Sequence, residues 1–245
     1  MPDDTLASSF QRTGDDYDRY RPGFPPESAE AIVPVPVRTA LDLGAGTGKF
    51  TERLIARADH VIAVDPSERM LGVLRAKLPG VEAHVGTAEK IPVPDASVDV
   101  VTVAQAFHWF DEETACAEIR RVLVPGGTLG LLWNGPDPDC AWDRACYGVA
   151  HPWMRQSPEP DADEEHGLPG FELRSRRAIP WAERLTRADY LARWHTVSTF
   201  LTATPPERDR MTAEIEHILD TDPATAGREE FDLPLVTDVF MYRAG

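Results

Sequence analysis

Lysine is nearly missing from this chain: Lys49, Lys77 and Lys90 are the whole complement, and arginine supplies the remaining basic residues. Cysteine is as scarce. Cys116, Cys140 and Cys146 are odd in number and contain no Cys-x-x-Cys pair, which argues against a disulfide framework or a zinc ribbon. No stretch approaches the roughly 18 consecutive apolar residues that a bilayer-spanning helix needs, and the start Met1-Pro2-Asp3-Asp4 lacks an apolar leader core. Positive charge is also in deficit, with 25 Lys and Arg against 41 Asp and Glu and a formal net charge of −16. Nucleic-acid phosphate and anionic lipid would be repelled by that balance. No cluster of His, Cys or acidic residues has metal-ligand spacing. The expectation is a soluble cytoplasmic protein, monomer or homodimer, with no metal and with neither nucleic acid nor membrane as partner.

What is present is an ordinary globular composition, 42% hydrophobic and 27% charged over 245 residues, long enough for one domain with a substantial core. Its organising stretch is Leu41-Asp42-Leu43-Gly44-Ala45-Gly46-Thr47-Gly48-Lys49-Phe50. A short apolar segment runs into three alternating glycines, and a helix-compatible pattern of Phe50, Leu54 and Ile55 follows, so the order reads strand, tight turn, helix. Glycine is needed where the backbone takes positive φ or lies against a ligand with no Cβ between them. The next β-rich run, Val61 to Asp65, ends in a carboxylate 21 positions after Gly44. One strand-helix-strand unit requires about that spacing, and an acid there accepts hydrogen bonds from ribose hydroxyls. Dinucleotide sites use Gly-x-Gly-x-x-Gly; here the third glycine comes one residue early. That spacing, and the absence of a tyrosine-lysine catalytic pair, disfavour a nicotinamide-dependent oxidoreductase.

The form Gly44-x-Gly46-x-Gly48 with Asp42 two places before it resembles motif I of the class I S-adenosylmethionine-dependent methyltransferases. A second match is Gly86-Thr87-Ala88-Glu89-Lys90-Ile91-Pro92-Val93-Pro94-Asp95-Ala96-Ser97-Val98-Asp99, and a third is Arg121-Val122-Leu123 through Pro125-Gly126-Gly127. Tyr20, Arg21, Pro22, Phe24 and Pro25 match the tail of an N-terminal cap element in small-molecule members of this family. The resemblance implies S-adenosyl-L-methionine as cofactor, a small-molecule methyl acceptor and direct in-line displacement at the sulfonium methyl. It further implies a Rossmann-like, mostly parallel seven-stranded sheet with an antiparallel last strand and helices on both faces. An N-terminal cap (1–36), a cofactor-binding core (37–135) and a substrate cap with the C-terminal strands (136–245) would form a single methyltransferase domain (1–245). A non-methylating member that binds the cofactor and steers a rearrangement, or serves as a partner protein, is the alternative.

Residue by residue, the resemblance assigns Asp42, Gly44, Ala45, Gly46 and Gly48 to the cofactor's amino-acid tail and Asp65 to its ribose. Pro66 and Met70 are candidates for an adenine face, though Met70 serves equally to pack the following helix. Relatives often carry Asp where Thr87 stands; Thr87 retains one acceptor for the adenine amino group, with the backbone of Ala88 beside the ring. Glu89 either joins that contact or caps a local turn. Val98 to Ala104 reads as a strand buried on both faces, and the carbonyls of Ala104 and Gln105 would receive the ammonium. His108 is positioned as a general base or as a residue orienting Trp109. Arg21 pairs with the cofactor carboxylate or is a surface arginine, while Tyr20, Trp109 and Asn134 are candidates for contact with the acceptor. Further along, helices are expected at Glu27–Val33, at about 50–57, and over Thr114–Val122, Ala141–Met154, Arg187–Leu201 and Pro206–Leu219. Strands are expected at Thr128–Trp133, Phe171–Trp181 and Leu233–Tyr242, and Ser157–Glu165 reads as a surface loop.

Overall fold

A computed structural model describes residues 18–151 and 167–245 of the chain. The expectations for residues 10–17, for Trp153 and Met154, and for the loop Ser157–Glu165 lie outside the described residues. In chain order the elements are α1 (Pro26–Ile32), β1 (Val37–Leu43), α2 (Thr51–Leu54), β2 (Ala58–Asp65), α3 (Glu68–Lys77), β3 (Glu82–Val85), β4 (Val98–Ala104), a single 3₁₀ turn (Phe107–Trp109), α4 (Glu112–Val122) and β5 (Leu123–Pro136). There follow α5 (Ala141–Ala150), β6 (Phe171–Thr186), α6 (Arg187–Trp194), α7 (Ser198–Thr202), α8 (Pro205–Thr221) and β7 (Glu230–Ala244).

The strands form one sheet in the order β3-β2-β1-β4-β5-β7-β6. β1 to β5 are mutually parallel, and β7 inserts antiparallel between β5 and β6. The central strands β1 and β4 are buried on both faces over residues 39–43 and 100–103, as parallel strands covered by helices are. Leu41 and Leu43 of β1, Val101 and Val103 of β4 and Leu129 and Leu131 of β5 pack on Ala115, Cys116 and Ile119 of α4. The alternate positions Ala40, Val61, Val100 and Leu132 pack on Ile32 of α1 and on Phe50 and Leu54. A second apolar centre lies in the cap, where Trp142, Cys146, Tyr190, Trp194, Phe200, Ile215 and Phe231 are buried together. Its aromatic rings meet edge to face, with Trp142 5.3 Å from both Tyr190 and Phe231, a geometry that aligns ring quadrupoles.

Several elements differ from expectation. The helix after the glycine turn stops at Leu54 rather than about Arg57, since Arg57 O accepts from Val37 N at 3.0 Å and β2 begins at Ala58, in register with Val37. The helix expected over Arg187–Leu201 is two, α6 and α7. Thr196 turns its hydroxyl back onto Arg193 O at 2.6 Å, closing the first helix in the manner of residues that compete with the helical ladder. The motif segment Pro125-Gly126-Gly127, which precedes the strand expected at Thr128–Trp133, lies inside β5 at a register shift against β4. β6 and β7 outrun their apolar patterns to 16 and 15 residues because they pair with each other almost end to end.

The two edges of the sheet are differently built. β3 is four residues long, and Glu82 there contacts His60 and His84 at 2.8 and 2.5 Å. β6 carries Arg174, Arg176, Arg177 and Arg184, with Pro180 in its middle. Arg176 pairs with Asp238 at 3.4 Å, and Arg184 with Asp232 at 3.3 Å, both across to β7. Among the described residues no helix is long and apolar enough to cross a membrane.

Two glycines separate backbone strain from crowding. Gly48 has φ +85°, and a Cβ there would fall 2.9 Å from Leu74 Cγ, whereas Gly126 has φ +73° with nothing within 4 Å. Gly126→Ala should cost about 1–2 kcal/mol for the left-handed backbone alone. Gly48→Ala should add roughly 1–3 kcal/mol of overpacking. Urea denaturation of the two variants should show the larger loss at Gly48.

Candidate functional site

Four strand ends and three cap helices converge on a cavity of about 550 Å³, within the range of small-ligand sites. Its base is the carboxyl edge of the sheet, where the strand order reverses between β1 and β4. That reversal leaves a crevice, because the connections on its two sides run to opposite faces. β1 delivers Asp42 and the turn at Gly44–Thr47, β2 delivers Asp65, Pro66 and Ser67, and β4 leads into Gln105, His108 and Trp109. β5 contributes Asn134, and the cap contributes Tyr147, His151, Arg193 and Trp194.

The glycine turn is held to β2 by its own amides. Gly44 N and Ala45 N donate to Val64 O at 2.8 and 3.1 Å, and Gly46 N donates to Asp65 Oδ2 at 2.9 Å. The other carboxylate oxygen of Asp65 accepts from Ser67 N at 2.8 Å, and the Ser67 hydroxyl caps α3 by accepting from Met70 N. All three glycines have positive φ, but they do different jobs. A Cβ at Gly44 would lie 2.6 Å from Ala106 Cβ and one at Gly48 would strike Leu74, while at Gly46 it would meet only Met70 Sδ at 3.7 Å. The outer two permit close packing; the middle one keeps the wall of the cavity low.

Asp42 is fully buried beneath this turn. It accepts from Thr51 Oγ1 at 2.6 Å and from Thr102 Oγ1 at 3.0 Å. Burial pushes its pKa up to about 6, the two threonine hydroxyls restraining the rise. Burial likewise raises Asp65, against the two amide hydrogen bonds that lower it. Thr47 Oγ1 is buried in the same turn and has no hydrogen-bond partner among the described residues. At the end of β4, Gln105 takes the left-handed φ of +59° and donates from Nε2 to Asn134 O at 3.1 Å. The exposed His108 ring lies 4.8 Å from Trp109 at an angle of 46°, and desolvation holds its pKa below the ordinary 6.5.

Of the residues singled out in the sequence, Arg21, Asp42, Gly44, Ala45, Gly46, Asp65, Pro66, Met70, Ala104, Gln105, His108, Trp109 and Asn134 line the cavity. Tyr20, Gly48, Thr87, Ala88 and Glu89 are not part of its wall. Gly48 faces Leu74, Ala88 is buried with Ile91 and Val93, and Thr87 bridges to Lys90. Glu89 accepts from the backbone N–H of Asp111, the residue capping α4, at 3.0 Å, and Arg19 lies over the ring of Tyr20. Two of the polar lining residues also join segments: Arg21 Nη2 donates to Thr196 O at 3.0 Å, and Asn134 links Gly23 O to the Thr237 hydroxyl. Sequence reasoning named none of Lys49, Tyr147, His151, Arg193 and Trp194 individually as site residues, although Tyr147 and His151 fall in the helix Ala141–Met154 that it set over the acceptor pocket. The readable signal for Arg193 was its place three residues after Tyr190, on the stripe of α6 that faces inward.

The seven-stranded order, with one antiparallel strand and a crevice beside a Gly-x-Gly-x-Gly turn, defines a Rossmann-like methyltransferase fold. Residues 41–131 match the family model described as a methyltransferase domain. An uncharacterized methyltransferase of Mycobacterium tuberculosis is 39% identical over 232 residues, 95% of this chain and 94% of that protein. An uncharacterized methyltransferase of Schizosaccharomyces pombe is 34% identical over 241 residues, 95% of each. A solved structure from Anaeromyxobacter dehalogenans, described as a type II methyltransferase, superposes with TM-score 0.69 at 26% identity, covering 92% of this chain and 97% of that one. The chain belongs to the class I methyltransferase family. Among the described residues no group of three or more His, Cys, Asp or Glu is arranged to hold a metal ion.

The raised pKa of Asp42 has a measurable sign. Because the folded protein binds this proton more tightly than the unfolded chain, its contribution to stability is greatest below the ordinary 3.8 and is lost as pH rises through about 6. The span corresponds to about 3 kcal/mol. In Asp42→Asn, urea melts should show the variant gaining on wild type by about that amount between pH 4 and pH 7.

Proposed function

We propose that this methyltransferase transfers a methyl group from S-adenosylmethionine to a small-molecule acceptor bound beside it in the cavity. The observation that carries the reading is the adjacency, in one cavity, of the Asp42–Thr47 turn and Asp65 with His108 and Trp109. The chemistry of the residues present fits the cofactor. Asp65 keeps unused lone pairs for ribose hydroxyls beyond its two amide donors, the buried Thr47 hydroxyl lacks a partner, and Gly46 leaves room that a side chain would fill. Asp42 and Gln105 stand on the side that the ammonium of the amino-acid tail would take, and Pro66 and Met70 offer an apolar face for adenine. When bound, S-adenosylmethionine supplies the electrophilic methyl group.

The chain's own residues then have three tasks. The cap covers the cavity and excludes water; the walls align the acceptor, and holding two reactants in register is worth on the order of 7–11 kcal/mol. His108, whose pKa desolvation holds below the ordinary 6.5, accepts a proton where the acceptor has one to lose. A cavity of about 550 Å³ favours a small acceptor over a folded macromolecule.

Calorimetry and turnover separate the two halves of this site. Asp65→Asn should weaken S-adenosylhomocysteine binding tenfold or more, about 1.4 kcal/mol; unchanged affinity removes the ribose assignment. His108→Gln should keep cofactor affinity within about threefold and lower kcat at least tenfold, the low end for loss of a general base. The acid limb of the pH profile, centred below 6.5 in wild type, should vanish in that variant.

A further inference from the structure

The cap side of the cavity holds two hydrogen-bond donors that nothing in the described protein satisfies. Arg193, 8% exposed, lines the cavity from the last turn of α6. Among the described residues its guanidinium makes no ion pair, and Nη1 is buried with no hydrogen-bond partner. It is stacked instead on carbon, 4.9 Å from the ring of Trp194 and 5.3 Å from that of Tyr190. The neighbouring Trp194, 1% exposed and also lining the cavity, has its indole Nε1 buried without a partner. Both groups are donors only. Leaving such donors buried and unmade costs roughly 1–3 kcal/mol each, more for a charged group, so each calls for an account, and these two stand side by side in the lining of one cavity.

The surroundings agree in sign. Burial raises the Tyr147 hydroxyl, the charges of Arg193 and Arg21 pull it back, and the Asp143 charge, the smallest of these effects, raises it again. Burial lowers His151, and the same two arginines lower it further. In a protein of net charge −16, two guanidinium charges act on this corner of the cavity, with the Asp143 carboxyl as a counter-charge that burial shifts toward its neutral form. Asp143 lies close enough to feel Arg193 but spends Oδ1 on the Tyr190 hydroxyl at 2.7 Å.

We propose that the methyl acceptor is a carboxylic acid whose carboxylate is bound by Arg193 and Trp194, with its organic body against Tyr147 and Trp109. This deepens the methyl-transfer reading above and rests on it. A carboxylate suits the site because its two oxygens accept from the guanidinium fork and the indole N–H together. One guanidinium also balances one negative charge. Arg21, the other arginine on this wall, gives Nη2 to Thr196 O, whereas Arg193 Nη1 and Trp194 Nε1 are two unmet donors, a match in number for the two oxygens of one carboxylate.

The test uses the full chain saturated with S-adenosylhomocysteine and follows tryptophan fluorescence. Mono- and dicarboxylic acids of aliphatic and aryl type are titrated against the matched primary amides, with phenyl phosphate as the competing anion. At least one acid should bind tenfold or more tightly than its amide. Arg193→Met should reduce that preference to twofold or less, Arg193→Lys should recover part of it, and calorimetric affinity for S-adenosylhomocysteine should stay within twofold in both. Equal binding of every acid and its amide by wild type overturns the proposal, as does an acid preference that survives Arg193→Met or tighter binding of phenyl phosphate than of any acid. If Arg193→Met does not fold, the wild-type acid and amide comparison and Arg193→Lys decide it. Failure of S-adenosylhomocysteine to bind wild type would instead remove the underlying methyl-transfer reading.

Discussion

The Asp65 carboxylate is the constraint on which the cavity depends. One oxygen takes the amide of Gly46 and the other the amide of Ser67, so a single side chain ties the turn after β1 to the start of α3. A desolvated carboxylate is costly unless its lone pairs are met, and these two amides, otherwise facing a cavity, meet it. Deleting the side chain would orphan both amides and free two elements to move apart. The geometry of the turn and the charge at the end of β2 are therefore one feature. Asp42 plays the complementary role below, where two threonine hydroxyls, one from α2 and one from β4, hold a carboxyl that burial alone would keep neutral.

Among the described residues, Arg21 donating to Thr196 O joins the N-terminal segment to the helical cap, and Asn134 donating to Gly23 O joins that segment to β5, while Trp142, Tyr190, Trp194 and Phe231 supply the apolar mass of the cap. Such a division leaves one side of the cavity shaped by rigid rings and the other by the backbone of the glycine turn. Exchanging cap residues can then alter what is accepted without disturbing the strand ends, the usual way one α/β scaffold serves many substrates.

The parallel half of the fold was readable in the amino-acid order because local rules and global packing agree there. Three alternating glycines, an acid at the next strand end and a continuous apolar run at Val98–Ala104 each have one cheap structural solution. The antiparallel half was less legible. β6 and β7 extend beyond their apolar alternation because pairing with a neighbour, not hydrophobicity, sets their length. α6 and α7 look like one helix until the Thr196 hydroxyl competes for a carbonyl. The site divides in the same way. Residues next to the glycine turn follow from spacing, whereas Tyr147, Arg193 and Trp194 reach the cavity through tertiary packing of a separate cap, which no motif marks. Gly48, Thr87, Ala88 and Glu89 show the converse: positions of recognisable motifs that lie outside the wall of the cavity.

The sheet's outer strands bear on how the protein behaves when crowded. An unpaired strand edge is a template for another chain, and nature blunts it with brevity, charge or proline. β3 uses the first, ending after four residues, and β6 uses the others, with its arginines and Pro180. Neither border invites a neighbour to add a further strand, so association that does occur is steered toward side-chain surfaces, and fibrillar stacking of the native sheet has no foothold.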